Sequence, residues 1–148
     1  MDPDLGDELA HWSPWYPFDE AVVRAPRHPG VYMARDDAQV VYVGMAAERR
    51  GQGIRGRLTV YSRGRAAVSG LGEAAMDRAL ADPDWIRSRL LEVENGIEWR
   101  TRDWATAALE RAQLCVRWAT TDTGLAARQL ERIVLDAFES VELWNRAR

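Results

Sequence analysis

The chain has 148 residues, of which 47% are apolar and 29% are charged, a composition typical of one globular domain with a sizeable core. Its formal net charge is −3, and all 20 of its Lys or Arg residues are arginine. The sequence contains no apolar run of the ~20 residues that a membrane helix needs, and its acidic first residues are unlike a signal peptide. The single cysteine, Cys115, excludes an internal disulfide and a cysteine-built zinc site, so we expect a cytoplasmic protein. Because no long apolar run is present, we expect no membrane partner.

The first predicted segment, residues 1–28, is unusually aromatic for a chain terminus. It contains Trp12, Trp15, Tyr16 and Phe18. Disordered tails have few aromatic residues, so we interpret the segment as an arm that packs on the domain, with one or two helical turns starting at Phe18. The alternative is that its tryptophans are exposed and stack on nucleic-acid bases.

Two short apolar runs that each carry a tyrosine follow the arm. Strands are predicted at Gly30–Ala34 and Val40–Val43, and the short polar link between them favours an antiparallel hairpin. Alternation along each strand places Tyr32 and Tyr42 on the faces opposite to their immediate neighbours. Gly44 ends the second strand, at a point where a side chain would obstruct a turn or a ligand.

A loop over residues 45–53 leads to a predicted helix over residues 54–61. Arg57 and Tyr61 lie four residues apart on this helix and therefore share one face. Acids are absent from residues 49–65, which contain six arginines: Arg49, Arg50, Arg55, Arg57, Arg63 and Arg65. A basic stripe of this kind on an acidic chain favours contact with phosphate, because the potential acts over about one Debye length, ~8–10 Å. The alternative is a solvated loop.

The second half of the chain is predicted to be mainly helical. Helices are predicted over residues 71–81 and 84–93, the second with an apolar side made by Trp85, Ile86, Leu90 and Val93. A short strand at residues 97–99, a helix over 103–111 and a third main strand over 114–119 come next. The last helix, over 124–138, has a predicted inward stripe made by Leu130, Ile133, Val134, Ala137 and Phe138.

The order of these features resembles the GIY-YIG nuclease superfamily over residues 29–145. Five elements are similar in type and order: a hairpin that bears two tyrosine tripeptides, an arginine helix, a third strand, a glutamate helix and a late asparagine. The residues that carry the resemblance are Gly30-Val31-Tyr32, Tyr42-Val43-Gly44, Arg57, Glu131 and Asn145. In addition, Tyr61 matches a histidine or tyrosine that some restriction-type members have one helical turn after the arginine.

The expected fold is α/β, with a small mixed three-stranded sheet that includes an N-terminal hairpin and is flanked by helices. Residues 29–148 would form the nuclease domain, with a helical insertion at about 66–112. The resemblance implies a divalent-metal-dependent endonuclease that hydrolyses DNA phosphodiester bonds. Its catalytic residues would be Tyr32, Tyr42, Arg57, Tyr61 and Glu131.

The expected chemistry follows from these residue types. Glu131 would hold a single Mg²⁺ or Mn²⁺ ion, with water and phosphate oxygens completing the shell. Arg57 has the planar fork that suits phosphate oxygens. Tyr42 or Tyr61 would act as a base or would position water. Asn145 would orient Glu131 or its neighbours, and Gly44 would also support the site. The DNA contacts would come from Arg49, Arg50, Arg55, Arg63 and Arg65.

Two departures from the family pattern keep alternatives open. Met45 stands where the family often has lysine, and the longer loop before Arg57 makes Arg55 an alternative register. One alternative is therefore a catalytically inactive DNA-binding module of the same fold. The other is a protein-interaction domain that uses the aromatic arm and residues 66–112. The sequence leaves the oligomeric state open, with a homodimer as one option.

Overall fold

The computed structural model describes residues 4–146. Residues 1–3 of the predicted arm and residues 147–148 of the predicted nuclease domain lie outside this range. The described residues contain four strands: β1 Tyr16–Pro17, β2 Gly30–Asp36, β3 Gln39–Ala46 and β4 Cys115–Thr120. They also contain six α-helices: α1 Phe18–Arg24, α2 Gly53–Ser62, α3 Gly70–Leu80, α4 Pro83–Glu94, α5 Thr101–Ala112 and α6 Gly124–Ala137. Within residues 4–146, every helix is too short or too polar to cross a membrane.

The four strands form one antiparallel sheet in the order β1-β4-β2-β3. The β2–β3 hairpin agrees with the prediction, but the expected mixed three-stranded sheet was wrong. β4 runs antiparallel to β2, and the short strand β1 adds a fourth member by pairing Tyr16 with Val116. A strand of two residues has no periodicity that a sequence pattern can reveal. The strand expected at Ile97–Trp99 was also wrong, since this stretch is irregular and the Trp99 ring packs against Trp104 instead.

Each face of the sheet has its own apolar core. On one face, Tyr32 and Tyr42 pack with buried residues of α1, α2, α3 and α5, among them Ile54 and Leu58. On the other face, α6 and the N-terminal residues cover a second cluster: Val31, Met33, Val40, Val43, Val134, Phe138 and Leu143. The alternation of side chains along β2 and β3 therefore separates the two tyrosines from α6.

The inward stripe of α6 differs from the prediction at one residue. Ile133 is 52% exposed, whereas Val134 and Phe138 are buried. Ala127, earlier on the same helix, is fully buried. Ile133 and Val134 lie about 100° apart around the helix, so a helix that meets a flat sheet buries only one of them.

The N-terminal arm contacts the α6 face of the sheet through stacked rings and guanidinium groups. The Arg117 guanidinium lies 4.8 Å from the Trp12 ring and 4.7 Å from the Trp15 ring. Arg35 lies 4.5 Å from Trp15, and Arg117 also donates to Asp7 at 2.7 Å. Both tryptophan rings are thus engaged with arginines of the sheet, which does not favour the interpretation that they are free to stack on bases.

Helix α4 packs on the protein along a narrow line. Trp85 is its buried residue, and the Trp85 ring meets the Trp104 ring edge to face at 5.7 Å. The predicted apolar side of this helix was wrong at two residues, since Leu90 is 52% and Val93 is 44% exposed. The reason is that α4 contacts its neighbours mainly through the aromatic cluster, which leaves most of its circumference uncovered.

Candidate active site

Three tyrosines meet on the face of the sheet covered by α2. Tyr32 and Tyr61 share a hydrogen bond between their hydroxyl oxygens at 3.0 Å, and their rings meet edge to face. The Tyr42 ring stacks on Tyr32 with 6.2 Å between the ring centres. The backbone N–H of Leu71 donates to the Tyr61 hydroxyl at 3.2 Å. All three tyrosines are buried, so their hydroxyl groups lie in fixed positions.

Gly44 makes this arrangement possible. It lies directly across the hairpin from Tyr32, and a Cβ atom at this position would lie 2.5 Å from both the Cζ and the hydroxyl oxygen of Tyr32. Any other residue would displace the ring from the sheet. The role that the structure gives Gly44 is therefore to accommodate the first tyrosine.

Arg57 completes the cluster from α2. Its guanidinium carbon lies 4.7 Å from the centre of the Tyr61 ring, a cation–π distance. Its Nη2 atom would lie 2.9 Å from a Cβ atom placed on Gly70, and the Tyr42 hydroxyl 3.1 Å from the same atom. The Tyr61 hydroxyl would lie closer still. Three polar groups from two elements, α2 and β3, thus converge on the space above Gly70.

Gly70 was missed in the sequence analysis. It is the first residue of α3 and has a left-handed backbone, with φ = +52°. Both the backbone angle and the three polar neighbours exclude a side chain there. The Ser69-Gly70 pair at a helix start was the available signal, but it does not reveal which distant residues the glycine faces.

The environment of Tyr32 and Tyr42 keeps these two side chains protonated. Burial raises the pKa of Tyr32 well above its ordinary value, and the neighbouring Tyr61 and Tyr42 raise it further. Burial and Tyr61 likewise raise the pKa of Tyr42, against the lowering effect of Arg57. Burial alone would lower the pKa of Arg57, but the facing Tyr32 and Tyr61 outweigh it, so this pKa is raised. The cluster therefore combines neutral hydroxyl groups with one permanent positive charge.

Glu131 lies apart from this cluster, on α6. It lines a 280 Å³ groove with Arg128, Arg132, Leu135, Asp136 and Glu139. Burial raises the pKa of Glu131, and Arg128 and Arg132 oppose the shift. The Glu131 charge is close enough to contribute to the raised pKa of Tyr42, although no hydrogen bond joins it to the four clustered side chains within residues 4–146.

The residues that could hold a metal ion are few. Within the described chain, His, Cys, Asp and Glu side chains form no group of three that could bind a metal ion together. The half-buried Glu131 carboxylate offers the hard oxygen donor that Mg²⁺ and Mn²⁺ prefer. A divalent ion at Glu131 would therefore have one protein ligand and would take its remaining ligands from water and substrate.

Asn145 lies beside Tyr42 but contacts the backbone. Its side-chain amide donates to the Val43 carbonyl oxygen at 2.7 Å and accepts from the Val43 N–H at 3.2 Å. The Trp144 N–H donates to the Val41 carbonyl oxygen at 2.6 Å. These bonds cover the outer edge of β3 with the C-terminal segment. In the described structure no hydrogen bond joins Asn145 to Glu131, the residue that it was expected to orient.

The predicted DNA-binding arginines lie near the cluster but on another side of α2. A 640 Å³ groove is lined by Arg27, Arg49, Arg50, Arg55 and Arg63, and Arg65 is exposed outside it. Helix geometry turns the groove-lining positions of α2 away from Arg57. Among the described residues, none of the groove arginines forms an ion pair with an acid. Arg49 and Arg50 have positive φ angles of 48° and 54°, which is costly for residues with a Cβ atom.

Arg55 differs from the other groove arginines because its side chain is tied down. Its Nε donates to the Ala25 carbonyl oxygen at 2.6 Å and its Nη2 to the Val23 carbonyl oxygen at 2.8 Å. These contacts hold the end of α1 against α2. Of the two registers left open by the sequence, Arg57 is therefore the one that faces the tyrosines.

Glu48 was also missed in the sequence analysis. Its carboxylate accepts from the Gly124 N–H at 2.5 and 3.1 Å, at the start of α6. A carboxylate at a helix N-terminus is stabilised by the free N–H groups and the helix dipole. Glu48 thereby fastens the loop after β3 to the helix that carries Glu131. A lone acid before a basic stripe gave no indication of this partner.

Comparisons with known proteins identify no relatives. No protein-family model matches the chain, and neither a curated protein nor a solved structure matches it.

Proposed function

We propose that the chain is a GIY-YIG-like endonuclease that hydrolyses DNA phosphodiester bonds with the help of Mg²⁺ or Mn²⁺. The observation that carries the proposal is the convergence of Arg57 with the Tyr42 and Tyr61 hydroxyl groups above Gly70. A fixed guanidinium beside oriented hydroxyl donors is suited to a phosphate group whose negative charge grows in the transition state. The antiparallel hairpin that presents the two tyrosines supports the proposed likeness in fold.

The clustered side chains would each have a distinct role. Arg57 binds the non-bridging oxygens of the scissile phosphate and neutralises the charge that develops on them. Tyr42 donates a hydrogen bond to the phosphate, because its raised pKa keeps it protonated near neutral pH. The Tyr61 hydroxyl contacts the phosphate from beside it. Tyr32 holds Tyr61 in place through the bond between their hydroxyl groups. This assigns the tyrosines to positioning rather than to proton abstraction.

Glu131 would supply the one protein ligand to the divalent ion. When bound, such an ion acts as a Lewis acid and lowers the pKa of its water. Arg128 and Arg132 lower the pKa of Glu131 and so oppose the rise that its burial causes. Positive charge near the phosphate would then come from Arg57 and from the ion that Glu131 would hold.

The arginine groove would contact DNA away from the scissile bond. Arg27, Arg49, Arg50 and Arg63 line it and have no acidic partner within residues 4–146. Contacts of this kind increase affinity, depend on salt and carry little sequence information. We therefore expect binding of DNA without a strict base sequence through this groove.

A second candidate function is DNA binding without cleavage. It is favoured by the single carboxylate at the proposed metal site and by Met45, which packs in the α6-side cluster where the family often has lysine. Such a module would retain the arginine groove and the tyrosine cluster. The two functions differ because only DNA cleavage requires the Glu131 carboxylate.

Glu131→Gln distinguishes the two functions. DNA cleavage and DNA binding should be measured on the same samples, with Mg²⁺, with Mn²⁺ and with chelator. The nuclease proposal predicts cleavage by the wild-type chain, a loss of about 100-fold or more in Glu131→Gln, and binding that changes little. Glu139→Gln, in the same groove, is the matched control and should cleave normally. Binding without cleavage by the wild-type chain under all metal conditions would leave the binding module as the function.

A further inference from the structure

The uncovered side of α4 has the pattern of a helix–helix contact surface. Arg87, Leu90, Leu91 and Glu94 follow one another at i, i+3, i+4 and i+7, so they share one side of the helix. Leu90 is 52% and Leu91 is 61% exposed. Trp85 anchors the opposite side of α4 to the protein. The two leucines thus form the apolar centre of a surface with a positive and a negative end.

This surface is self-complementary when it is reversed. Read from the other end, the order Arg-Leu-Leu-Glu becomes Glu-Leu-Leu-Arg, so an antiparallel copy places each arginine opposite a glutamate. A two-fold axis between Leu90 and Leu91 pairs Leu90 with the partner's Leu91 and Arg87 with the partner's Glu94. A parallel arrangement would instead place like charges side by side. The charge pattern therefore matches a second copy of this chain better than an unrelated partner.

We infer that two copies of the chain associate through an antiparallel contact between their α4 helices. The exposed Val93 and Ile97 beside the leucines, 44% and 51% exposed, would extend the apolar area. The ion pair that Arg87 makes within its own chain, with Asp84 at 3.0 Å, is an obstacle of little weight because both side chains are largely exposed. The inference is independent of the proposed nuclease activity.

The size of the contact sets the expected affinity. A helix of 12 residues is about 18 Å long. Two such helices bury less than the ~800 Å² per partner of a standard stable interface. The association is therefore weak and depends on concentration.

Charge reversal at the two ends of the surface gives a direct test by sedimentation equilibrium over a wide range of protein concentration. The wild-type chain should shift from monomer to dimer as its concentration rises. Arg87→Glu and Glu94→Arg should each weaken dimerisation about tenfold, because each creates two like-charge contacts across the two-fold axis. The matched control is Arg24→Glu, which changes an exposed arginine that also has an ion-pair partner within its own helix, and should dimerise normally.

Mixing the two single variants makes the test specific. An Arg87→Glu chain and a Glu94→Arg chain are complementary at both ends of the contact, so their mixture should form a heterodimer with near wild-type affinity. The double variant should likewise recover the homodimer. Both substituted side chains, Arg87 and Glu94, are exposed, and circular dichroism will verify that the variants keep the fold. A wild-type chain that stays monomeric at every concentration overturns the inference, and so does a dimer that neither charge reversal weakens or that mixing does not restore.

Discussion

Gly70→Ala is the most informative perturbation of the tyrosine–arginine cluster. The new methyl group would lie 2.9 Å from the Arg57 Nη2 and 3.1 Å from the Tyr42 hydroxyl, and closest to the Tyr61 hydroxyl. The Tyr61 ring cannot withdraw easily, because its hydroxyl is bonded to Tyr32 and its ring is buried. The substitution should therefore destabilise the protein and displace the polar groups of the cluster.

The loss of unfolding free energy in Gly70→Ala has two causes, which a control variant separates. A left-handed backbone costs an alanine about 1–2 kcal/mol, and overpacking of a buried site typically costs about 1–3 kcal/mol more. Gly96 also has a positive φ, +88°, but a Cβ atom there would meet nothing within 4 Å. Gly96→Ala should therefore show the backbone cost alone. The difference in unfolding free energy between the two variants should be about 1–3 kcal/mol.

Urea denaturation of the two variants, followed by DNA cleavage assays, measures both consequences. In thermal melts, a chain of this length should lose roughly 2–4 °C of Tm for each kcal/mol. Cleavage by Gly70→Ala should fall strongly at temperatures at which the variant is still folded, whereas Gly96→Ala should keep its activity. If Gly70→Ala is as stable as Gly96→Ala, the polar groups do not converge as described and the reasoning is refuted.

Three further predictions concern the same region. Tyr61→Phe removes the hydroxyl that Tyr32 and a backbone amide use, and should cost about 1–3 kcal/mol in denaturant unfolding, whereas Tyr16→Phe should cost little. The folded-state pKa values of Tyr32 and Tyr42 lie above the unfolded value of ~10, so the stability that the two side chains contribute is complete below pH ~10 and is lost as the pH rises beyond it. In an alkaline titration, the tyrosinate absorbance of these two residues should therefore appear only when the protein unfolds. Ionisation of Tyr32 or Tyr42 in the folded protein near pH ~10 would contradict this prediction. Asn145→Ala should expose the edge of β3 and lower the free energy of unfolding by about 1–3 kcal/mol. The β3 amides should then exchange their hydrogens faster. Unchanged exchange would argue against the hydrogen bonds between Asn145 and the Val43 backbone.

The sequence predicted the site best where the signal was periodic. Alternation placed Tyr32 and Tyr42 each on the face opposite to its neighbours, and in the structure their rings stack. The spacing along α2 placed Arg57 beside Tyr61. These are local relations that depend only on the geometry of one hairpin and one helix. Gly70 could not be found in the same way, because it reaches the cluster from α3 through a long-range contact.

Exposure was harder to predict than secondary structure. Apolar periodicity identified α4 and α6 but did not show how wide their buried faces are. Ile133 and Leu90 were expected in the core and are both 52% exposed. The width depends on the shape of the neighbouring layer, a flat sheet under α6 and the aromatic cluster under α4. The two-residue strand β1 and the contact of Glu48 with α6 likewise depend on partners distant in the sequence.

The rate of DNA cleavage by Arg57→Lys shows whether the guanidinium of the tyrosine–arginine cluster takes part in phosphodiester hydrolysis. Lysine keeps the positive charge but lacks the planar fork that would bind phosphate beside the tyrosine hydroxyl groups. With Mg²⁺ or Mn²⁺ present, we predict cleavage by the wild-type chain and by the surface control Arg24→Lys. Arg57→Lys should keep the fold and cleave about 100-fold more slowly. Equal cleavage rates for Arg57→Lys and Arg24→Lys, or no cleavage by the wild-type chain, would contradict the claim that the cluster above Gly70 hydrolyses phosphodiester bonds.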